Sequence, residues 1–243
     1  MAGRLRKAVL KGAELLGRED TARALRDALR DQHERRNRRD DEALTVLMAG
    51  VLSRDSNCID VGAHRGIILE QMVRLAPEGR HIAFEPYPGL GAELADRFPG
   101  VDVRTTALFN ERSRRPFNAR ADDPGLSGLA DPAGQQPAVD VVRLDDALPE
   151  GYRPALIKVD VEGAEYQVLE GGLETLRRHQ PVVAFEHSLG CRHYGKEPGG
   201  VYELLESAGL RIFDIDGGGP YDRGEFTQEV LGLRRWFFFA RPW

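Results

Sequence analysis

The chain has 243 residues, of which 41% are hydrophobic and 30% are charged. This composition is typical of a globular protein with one substantial core, and it excludes a disordered or fibrous chain. No apolar run reaches the roughly 18–20 residues that cross a bilayer, and Lys11 and Glu14 interrupt any signal-peptide pattern near the start. The two cysteines, Cys58 and Cys191, are too few for a disulfide framework, which favours a reducing, cytoplasmic location.

Charge is divided unevenly along the chain. Residues 1–40 contain 12 basic and 7 acidic side chains, so a positively charged segment precedes an acidic remainder. Such a segment can bind nucleic acid or anionic lipid. Here, however, acidic residues are interleaved through it and it has no aromatic residue on which a base would stack. We therefore interpret it as a solvated helix face and expect no nucleic-acid partner.

Helices alone are predicted for the first fifth of the chain. Apolar residues recur at helical spacing from Leu5 to Leu29 and again from Ala43 to Leu52. We assign residues 1–52 to an N-terminal helical segment and residues 53–243 to the main domain. The apolar stripe of residues 5–29 also offers a surface for pairing with a second copy of the chain.

Beyond Ser53, short apolar runs alternate with helical segments. This alternation predicts an α/β fold with a mainly parallel sheet, and the near-continuous apolar runs predict strands buried on both faces. Residues 111–140 are rich in proline and glycine and break the alternation. We interpret them as an irregular excursion, with room for a short hairpin, over one edge of the sheet. The strands are predicted at residues 58–61, 81–84, 101–103, 156–159, 182–185, 210–215 and 236–240.

The first predicted strand ends at Asp60 and is followed by a turn that contains Gly62 and Gly66. Glycines allow a tight turn and the close approach of the backbone to a ligand. The Gly-x-x-x-Gly spacing differs from the pattern of dinucleotide sites, and an acid at position 60 would repel a pyrophosphate at the helix N-terminus. The same acid would attract a cationic amino-acid group, such as that of S-adenosylmethionine.

The second predicted strand ends at Glu85-Pro86, about 20 residues after the glycine turn. An acid in this position is placed to accept hydrogen bonds from both hydroxyls of a ribose. In this architecture the end of the third strand faces the adenine. The predicted S-adenosylmethionine site comprises Asp60, Gly62, His64, Gly66, Glu85, Pro86, Thr106, Ala107 and Asp160.

A longer string near the middle of the chain is more specific, and with the motifs above it resembles the FkbM family of S-adenosylmethionine-dependent methyltransferases. The resemblance runs from about Cys58 to Phe239, and His64 stands where the family commonly has Asn. It implies a Rossmann-like, seven-stranded sheet, mostly parallel with an antiparallel last strand. It also implies methylation of a hydroxyl oxygen, commonly on a sugar or natural product. The motifs are Asp60-Val-Gly-Ala-x-x-Gly66, Phe84-Glu-Pro86, Leu144-Asp-Asp146, Leu156-Ile-Lys-Val-Asp-Val-Glu-Gly-Ala-Glu165 and Pro181-Val-Val-Ala-Phe-Glu186.

Methyl transfer to an alcohol needs a base or a metal ion, because an alcohol is a poor nucleophile. Asp160 follows one predicted strand, and Glu186 and His187 follow the neighbouring one. This placement resembles that of the magnesium ligands in catechol O-methyltransferase-like enzymes, so the three residues are candidate ligands for Mg²⁺ or another divalent cation. Two alternatives stay open. Either His187 is the catalytic base beside Asp160, or it is a buried structural histidine and Asp160 binds the cofactor or caps a helix.

Three functions are compatible with these features. An O-methyltransferase with a small-molecule hydroxyl acceptor is the leading hypothesis, and the sequence does not identify the acceptor. An NAD-linked oxidoreductase is disfavoured by the acid at position 60 and by the missing second glycine. A catalytically inactive protein that binds partners through its basic N-terminal segment is disfavoured by the presence of Asp60, Glu85 and Asp160.

Overall fold

The computed structural model describes residues 19–121, 125, 127–130 and 134–242. The chain divides into two compact units, Met1–Leu44 and Thr45–Trp243. The predicted apolar stripe of residues 5–29 lies outside the residues and side chains that the structure describes. Within the described part of the chain, no helix has both the length and the apolar character needed to cross a membrane.

The described residues contain eight α-helices and eleven strands. The helices are α1 Glu19–Val51, α2 Ile67–Leu75, α3 Leu90–Arg97, α4 Leu144–Ala147, α5 Glu165–Gly171, α6 Leu173–His179, α7 Gly199–Ser207 and α8 Arg223–Leu231. The strands are β1 Asn57–Val61, β2 Ile82–Phe84, β3 Asp102–Arg104, β4 Ala107–Leu108, β5 Ser113–Asn118, β6 Gly128–Leu129, β7 Ala138–Val142, β8 Pro154–Val159, β9 Val182–Glu186, β10 Arg211–Asp214 and β11 Phe237–Arg241.

The core of the second unit is a seven-stranded sheet with the order β10-β11-β9-β8-β1-β2-β3. Neighbouring strands from β9 to β3 are parallel, and β11 is antiparallel to both β9 and β10. Ile59, Ile157 and Val183 are aligned across β1, β8 and β9, and all three are fully buried. Their burial explains the continuous apolar runs, since helices cover both faces of a parallel sheet. The predicted fold class, including the antiparallel last strand, is confirmed.

Residues 111–140 depart from the prediction. Instead of an irregular excursion with at most a hairpin, they contribute three strands to a second sheet with the order β4-β7-β5-β6. Strand β7 pairs in parallel with β4 and antiparallel with β5. Short strands of this kind are stabilised by their cross-strand partners, such as Ser113 opposite Val141, more than by their own sequence pattern. Pro116 is accommodated in β5 because it lies at the end of the β5–β6 ladder, which pairs only Phe117 and Asn118 of β5.

Two interactions at the ends of β1 position its neighbours. At its amino-terminal end, the Tyr152 hydroxyl lies 2.7 Å from the Arg80 carbonyl oxygen and 3.0 Å from that of Cys58, so it donates a hydrogen bond shared between them. At its carboxyl end, the Gly62 amide donates to the Phe84 carbonyl oxygen of β2 at 2.9 Å. The carboxyl ends of β1, β2, β8 and β9 therefore meet at one edge of the sheet, where ligand sites form in open α/β folds.

Candidate active site

A cleft opens at the carboxyl ends of β1, β2 and β8, between the main sheet and the second sheet. It encloses about 720 Å³ of empty space, part of it open to solvent. Seven of the residues predicted from sequence line it: Gly62, His64, Glu85, Pro86, Thr106, Ala107 and Asp160. The structure thus brings the carboxyl ends of β1, β2 and β8 and the segment at Thr106 and Ala107 to one concave surface, and the binding of a cofactor there stays a prediction.

The glycine turn after β1 adopts a backbone conformation that favours glycine. Gly62 has a φ of +75°, and a Cβ atom there would lie 1.9 Å from the carbonyl oxygen of Asp160. The turn consequently packs directly against the end of β8, with no side chain between them. Gly66, also predicted as a ligand-facing glycine, does not line the cleft. A Cβ atom at this position would meet Leu94 and Phe98, so this glycine allows α3 to pack closely.

Glu85 follows β2 and turns its carboxylate toward the glycine turn. One oxygen accepts a hydrogen bond from the His64 amide at 2.6 Å, and the other accepts one from the Tyr87 amide at 2.8 Å. Burial raises the pKa of the Glu85 carboxyl, and these two hydrogen bonds oppose that rise. Each carboxylate oxygen has a second acceptor position. Glu85 can therefore order the turn and accept further hydrogen bonds from a ligand in the cleft.

The prediction that Asp60 contacts the cationic group of a ligand is corrected by its surroundings. Asp60 is fully buried and does not line the cleft, and the ammonium nearest to its carboxylate is that of Lys158, 3.2 Å away. Burial alone would lower the pKa of Lys158, but the charges of Asp60 and Asp160 outweigh it and raise that pKa above its ordinary value. The ammonium therefore stays protonated and forms an ion pair with the Asp60 carboxylate inside the protein, where neither carboxylate oxygen has a hydrogen-bond partner among the described residues.

Sequence reasoning overlooked Lys158, although a signal was present. This lysine interrupts the apolar run of β8, and a lysine inside a buried strand is rare unless it is paired. Lys158 stands two positions before Asp160 in the sequence. In the parallel register of β1 and β8 it is aligned with Asp60, and this register indicates the ion pair between Lys158 and Asp60.

His187 lies in the core, which overturns its prediction as the catalytic base. Its ring stacks on Phe226 with 5.8 Å between the ring centroids, and its side chain is fully buried. Its Nε2 lies 3.1 Å from the Pro198 carbonyl oxygen, and its Nδ1 lies 3.6 Å from Oε2 of Glu165. The structure therefore supports the structural alternative, because both ring nitrogens face groups of the protein itself.

The predicted metal site at Asp160, Glu186 and His187 is not formed either. In residues 19–121, 125, 127–130 and 134–242, no group of three or more His, Cys, Asp or Glu side chains has an arrangement that could hold a metal ion. His187 is turned into the core, and the Asp160 carboxylate lies 3.6 Å from the Lys158 ammonium. Burial, followed by the charges of Asp160, Glu162 and Glu165, raises the pKa of Glu186 well above its usual range.

The second sheet forms one wall of the cleft, through a segment that the sequence predicts as an irregular excursion bordering the acceptor pocket. Its lining side chains include the rings and aliphatic groups of Phe117 and Leu129, with Ser127 beside them. The Tyr194 hydroxyl donates a hydrogen bond of 2.8 Å to the Leu129 carbonyl oxygen, which ties β6 to the 3₁₀ helix Leu189–Tyr194. No local sequence motif predicts this wall of the cleft, because its residues come together only through strand pairing.

The pairing of His187 with Glu165 generates a prediction about stability. Burial lowers the pKa of His187, but contacts with Cys191 and Glu165 outweigh it and raise that pKa from 6.5 to about 9. The folded protein therefore holds this proton over a range where the unfolded chain releases it. The resulting stabilisation is fully present below about pH 6.5 and is lost as the pH rises through 9. The free energy of unfolding should decrease over this range by on the order of 2–3 kcal/mol. Urea unfolding from pH 6 to 9.5 measures it.

The variant His187→Gln serves as the comparison for this titration. It should unfold more easily at pH 6, with a smaller decrease in unfolding free energy up to pH 9.5. Equal slopes in the two proteins would contradict the assignment of the titrating group to His187.

Three comparisons with known proteins bear on the family and the fold. The sequence profile of the methyltransferase FkbM domain matches residues 60–212. Methyltransferase sdnD of Sordaria araneosa is 30% identical over 217 residues, covering 72% of this chain and 78% of its own. The crystal structure of methyltransferase FkbM from Methylobacillus flagellatus superposes with a TM-score of 0.50 at 18% identity. That match covers 79% of this chain but 45% of the solved one, so the present chain spans under half the length of that relative. With the profile covering well over half of its residues, the chain belongs to the FkbM methyltransferase family.

Proposed function

We propose that the protein is an S-adenosylmethionine-dependent O-methyltransferase that acts on a hydroxyl group of a small molecule, such as a sugar or another natural product. The observation that carries the proposal is the placement of Glu85. Its buried carboxylate lines the cleft at the end of β2, next to the Gly62 turn, and has acceptor positions to spare. A strand-end acid in this position suits the two hydroxyls of a ribose.

The remaining cleft residues fit the other parts of this cofactor. The close packing of the Gly62 turn on Asp160 keeps side chains out of the space beside the turn. Thr106 and Ala107 line the cleft beyond Glu85, where the adenine is expected. When bound, S-adenosylmethionine supplies an activated methyl group together with its own leaving group.

The protein's contribution is to hold the acceptor in line and to remove its proton. A well-oriented pair of reactants gains several orders of magnitude in rate from positioning alone. With His187 buried in the core, Asp160 is our candidate for the group that accepts the hydroxyl proton, because it lines the cleft with a side chain that is 33% exposed. A base must reach the acceptor directly or through one water molecule, and Asp160 is open to the cleft.

The lining of the cleft indicates the kind of acceptor that fits. Phe117 and Leu129 add apolar surface to the lining of the cleft, which also contains Asp160. We infer an acceptor with an apolar face and a hydroxyl that is presented to Asp160.

The function is tested by binding followed by turnover. Calorimetry should detect binding of S-adenosylhomocysteine and no binding of NADH, which separates a methyltransferase from an oxidoreductase. The protein is then incubated with methyl-labelled S-adenosylmethionine and a panel of hydroxylated sugars and natural products, and the label should appear as a methyl ether. A protein that binds NADH but does not bind S-adenosylhomocysteine would refute the proposal. A labelled methyl group attached to nitrogen or carbon of the acceptor would refute O-methylation.

The substitution Glu85→Ala should weaken the binding of S-adenosylhomocysteine. A hydrogen bond to a charged group contributes about 1.5–3 kcal/mol, so we expect roughly a 10- to 150-fold higher Kd by calorimetry. Glu93→Ala makes the same chemical change at an exposed position of α3 and should leave the Kd within about twofold. Unchanged affinity in a folded Glu85→Ala protein would exclude the ribose assignment.

The substitution Asp160→Asn should lower kcat by about 10²–10⁴-fold, since it removes the proposed base while keeping the side-chain shape. The rate is measured with whichever acceptor the panel identifies. Asp140→Asn is the matched control, because Asp140 is exposed on β7 and pairs with Arg114. A kcat within threefold of the wild-type value would assign deprotonation to another group.

A further inference from the structure

The buried ammonium of Lys158 lies immediately behind the floor of the cleft. The lysine side chain is 6% exposed and does not line the cleft. Its Nζ donates a 2.7 Å hydrogen bond to the Gly62 carbonyl oxygen, and it lies 3.2 Å from the Asp60 carboxylate and 3.6 Å from that of Asp160. One charged group thus contacts the glycine turn after β1 and the acid after β8, and both of these line the cleft.

At this place the backbones of the two strand ends are in direct contact. The Asp160 amide donates to the Val61 carbonyl oxygen at 3.1 Å, and the absent Cβ of Gly62 would overlap the Asp160 carbonyl. A change in the position of either backbone would therefore alter the shape of the cleft floor. The ammonium bonds both sides of this junction at once.

Stability alone is a weak reason for such an arrangement. Burying two charges costs several kcal/mol each, and exchanging a buried ion pair for apolar groups of similar volume is often neutral or stabilising. Lys158 and Asp60 are both almost completely buried. Because stability does not by itself account for a buried ion pair of this kind, we look for its role in what it positions.

We propose that Lys158 is a positioning residue of the cofactor cleft: its ammonium holds the Gly62 turn and the Asp160 carboxylate in their ligand-binding arrangement before the ligand binds. This inference rests on the proposed function. Binding to a preformed site avoids the free-energy cost of ordering it. Loss of the ammonium should therefore reduce affinity for the cofactor even when the fold is retained.

The experiment compares the double variant Asp60→Asn/Lys158→Met with a control, Tyr152→Phe. The double variant removes both charges, so no uncompensated carboxylate is left in the core. Tyr152→Phe removes a buried hydrogen bond at the opposite end of β1, far from the cleft floor. The affinity for S-adenosylhomocysteine is measured by calorimetry, and stability is measured by thermal unfolding without ligand.

We expect the double variant to bind S-adenosylhomocysteine at least tenfold more weakly than the wild type, at a Tm no lower than that of Tyr152→Phe. The control should have a lower Tm and a Kd within threefold of the wild-type value. A folded double variant with wild-type affinity would overturn the positioning role while leaving the proposed function intact. A wild-type protein that does not bind S-adenosylhomocysteine would overturn both.

If the double variant does not fold, hydrogen exchange in the wild-type protein tests whether the Gly62 turn is ordered before the ligand binds. The Gly62 and Ala63 amides both donate to the Phe84 carbonyl oxygen, at 2.9 and 3.2 Å. Ligand binding raises the protection of all amides that exchange through global unfolding. A turn held in place by Lys158 should therefore gain no more protection on binding S-adenosylhomocysteine than the core amides of β8 and β9 gain. A gain at Gly62 and Ala63 that exceeds the core gain by tenfold or more would overturn the proposal, because the turn would then be ordered by the ligand.

Discussion

The cleft depends on the junction between the carboxyl ends of β1 and β8, and this junction is closed by a buried charge. Parallel pairing brings Asp60 opposite Lys158, and a glycine at position 62 lets the two backbones touch. Buried charges are tolerated only when they are paired and hydrogen-bonded. The requirement to satisfy Lys158 therefore determines where Asp60, the Gly62 carbonyl and the Asp160 carboxylate lie.

A second buried pair, His187 and Glu165, lies beyond the carboxyl end of β9. His187 follows β9 and connects Glu165 at the start of α5 with the carbonyl of Pro198, which precedes α7. Glu165 in turn accepts a hydrogen bond from the Gly163 amide at 2.8 Å, in the segment that follows Asp160. Both pairs use a cation inside the protein to fix loops at the strand ends. Asp160 lines the cleft together with Glu85 and Glu162, and its carboxylate lies 3.6 Å from the Lys158 ammonium.

Residues near strand ends were predictable because parallel strands place their carboxyl ends at one edge of the sheet. This rule located Glu85 and Asp160 beside the Gly62 turn from spacing alone. It could not give the direction of each side chain. Asp60 alternates with Val61 and turns into the core, and His187 points away from the cleft although its sequence neighbours suggested a shared metal site. Side-chain direction depends on packing partners that are distant in sequence, such as Phe226.

The sequence by itself determined the α/β class, the positions of the main strands and the glycine turn, because apolar periodicity and φ-positive glycines are local properties. It also contained the motifs of the methyltransferase family. Only the tertiary structure decided that residues 113–142 pair into a second sheet and wall the cleft with Phe117 and Leu129. It alone also decided that Lys158 neutralises Asp60. Both features require contacts between segments that are far apart in the chain. The energies of these contacts depend on both segments, so a short stretch of sequence does not determine them.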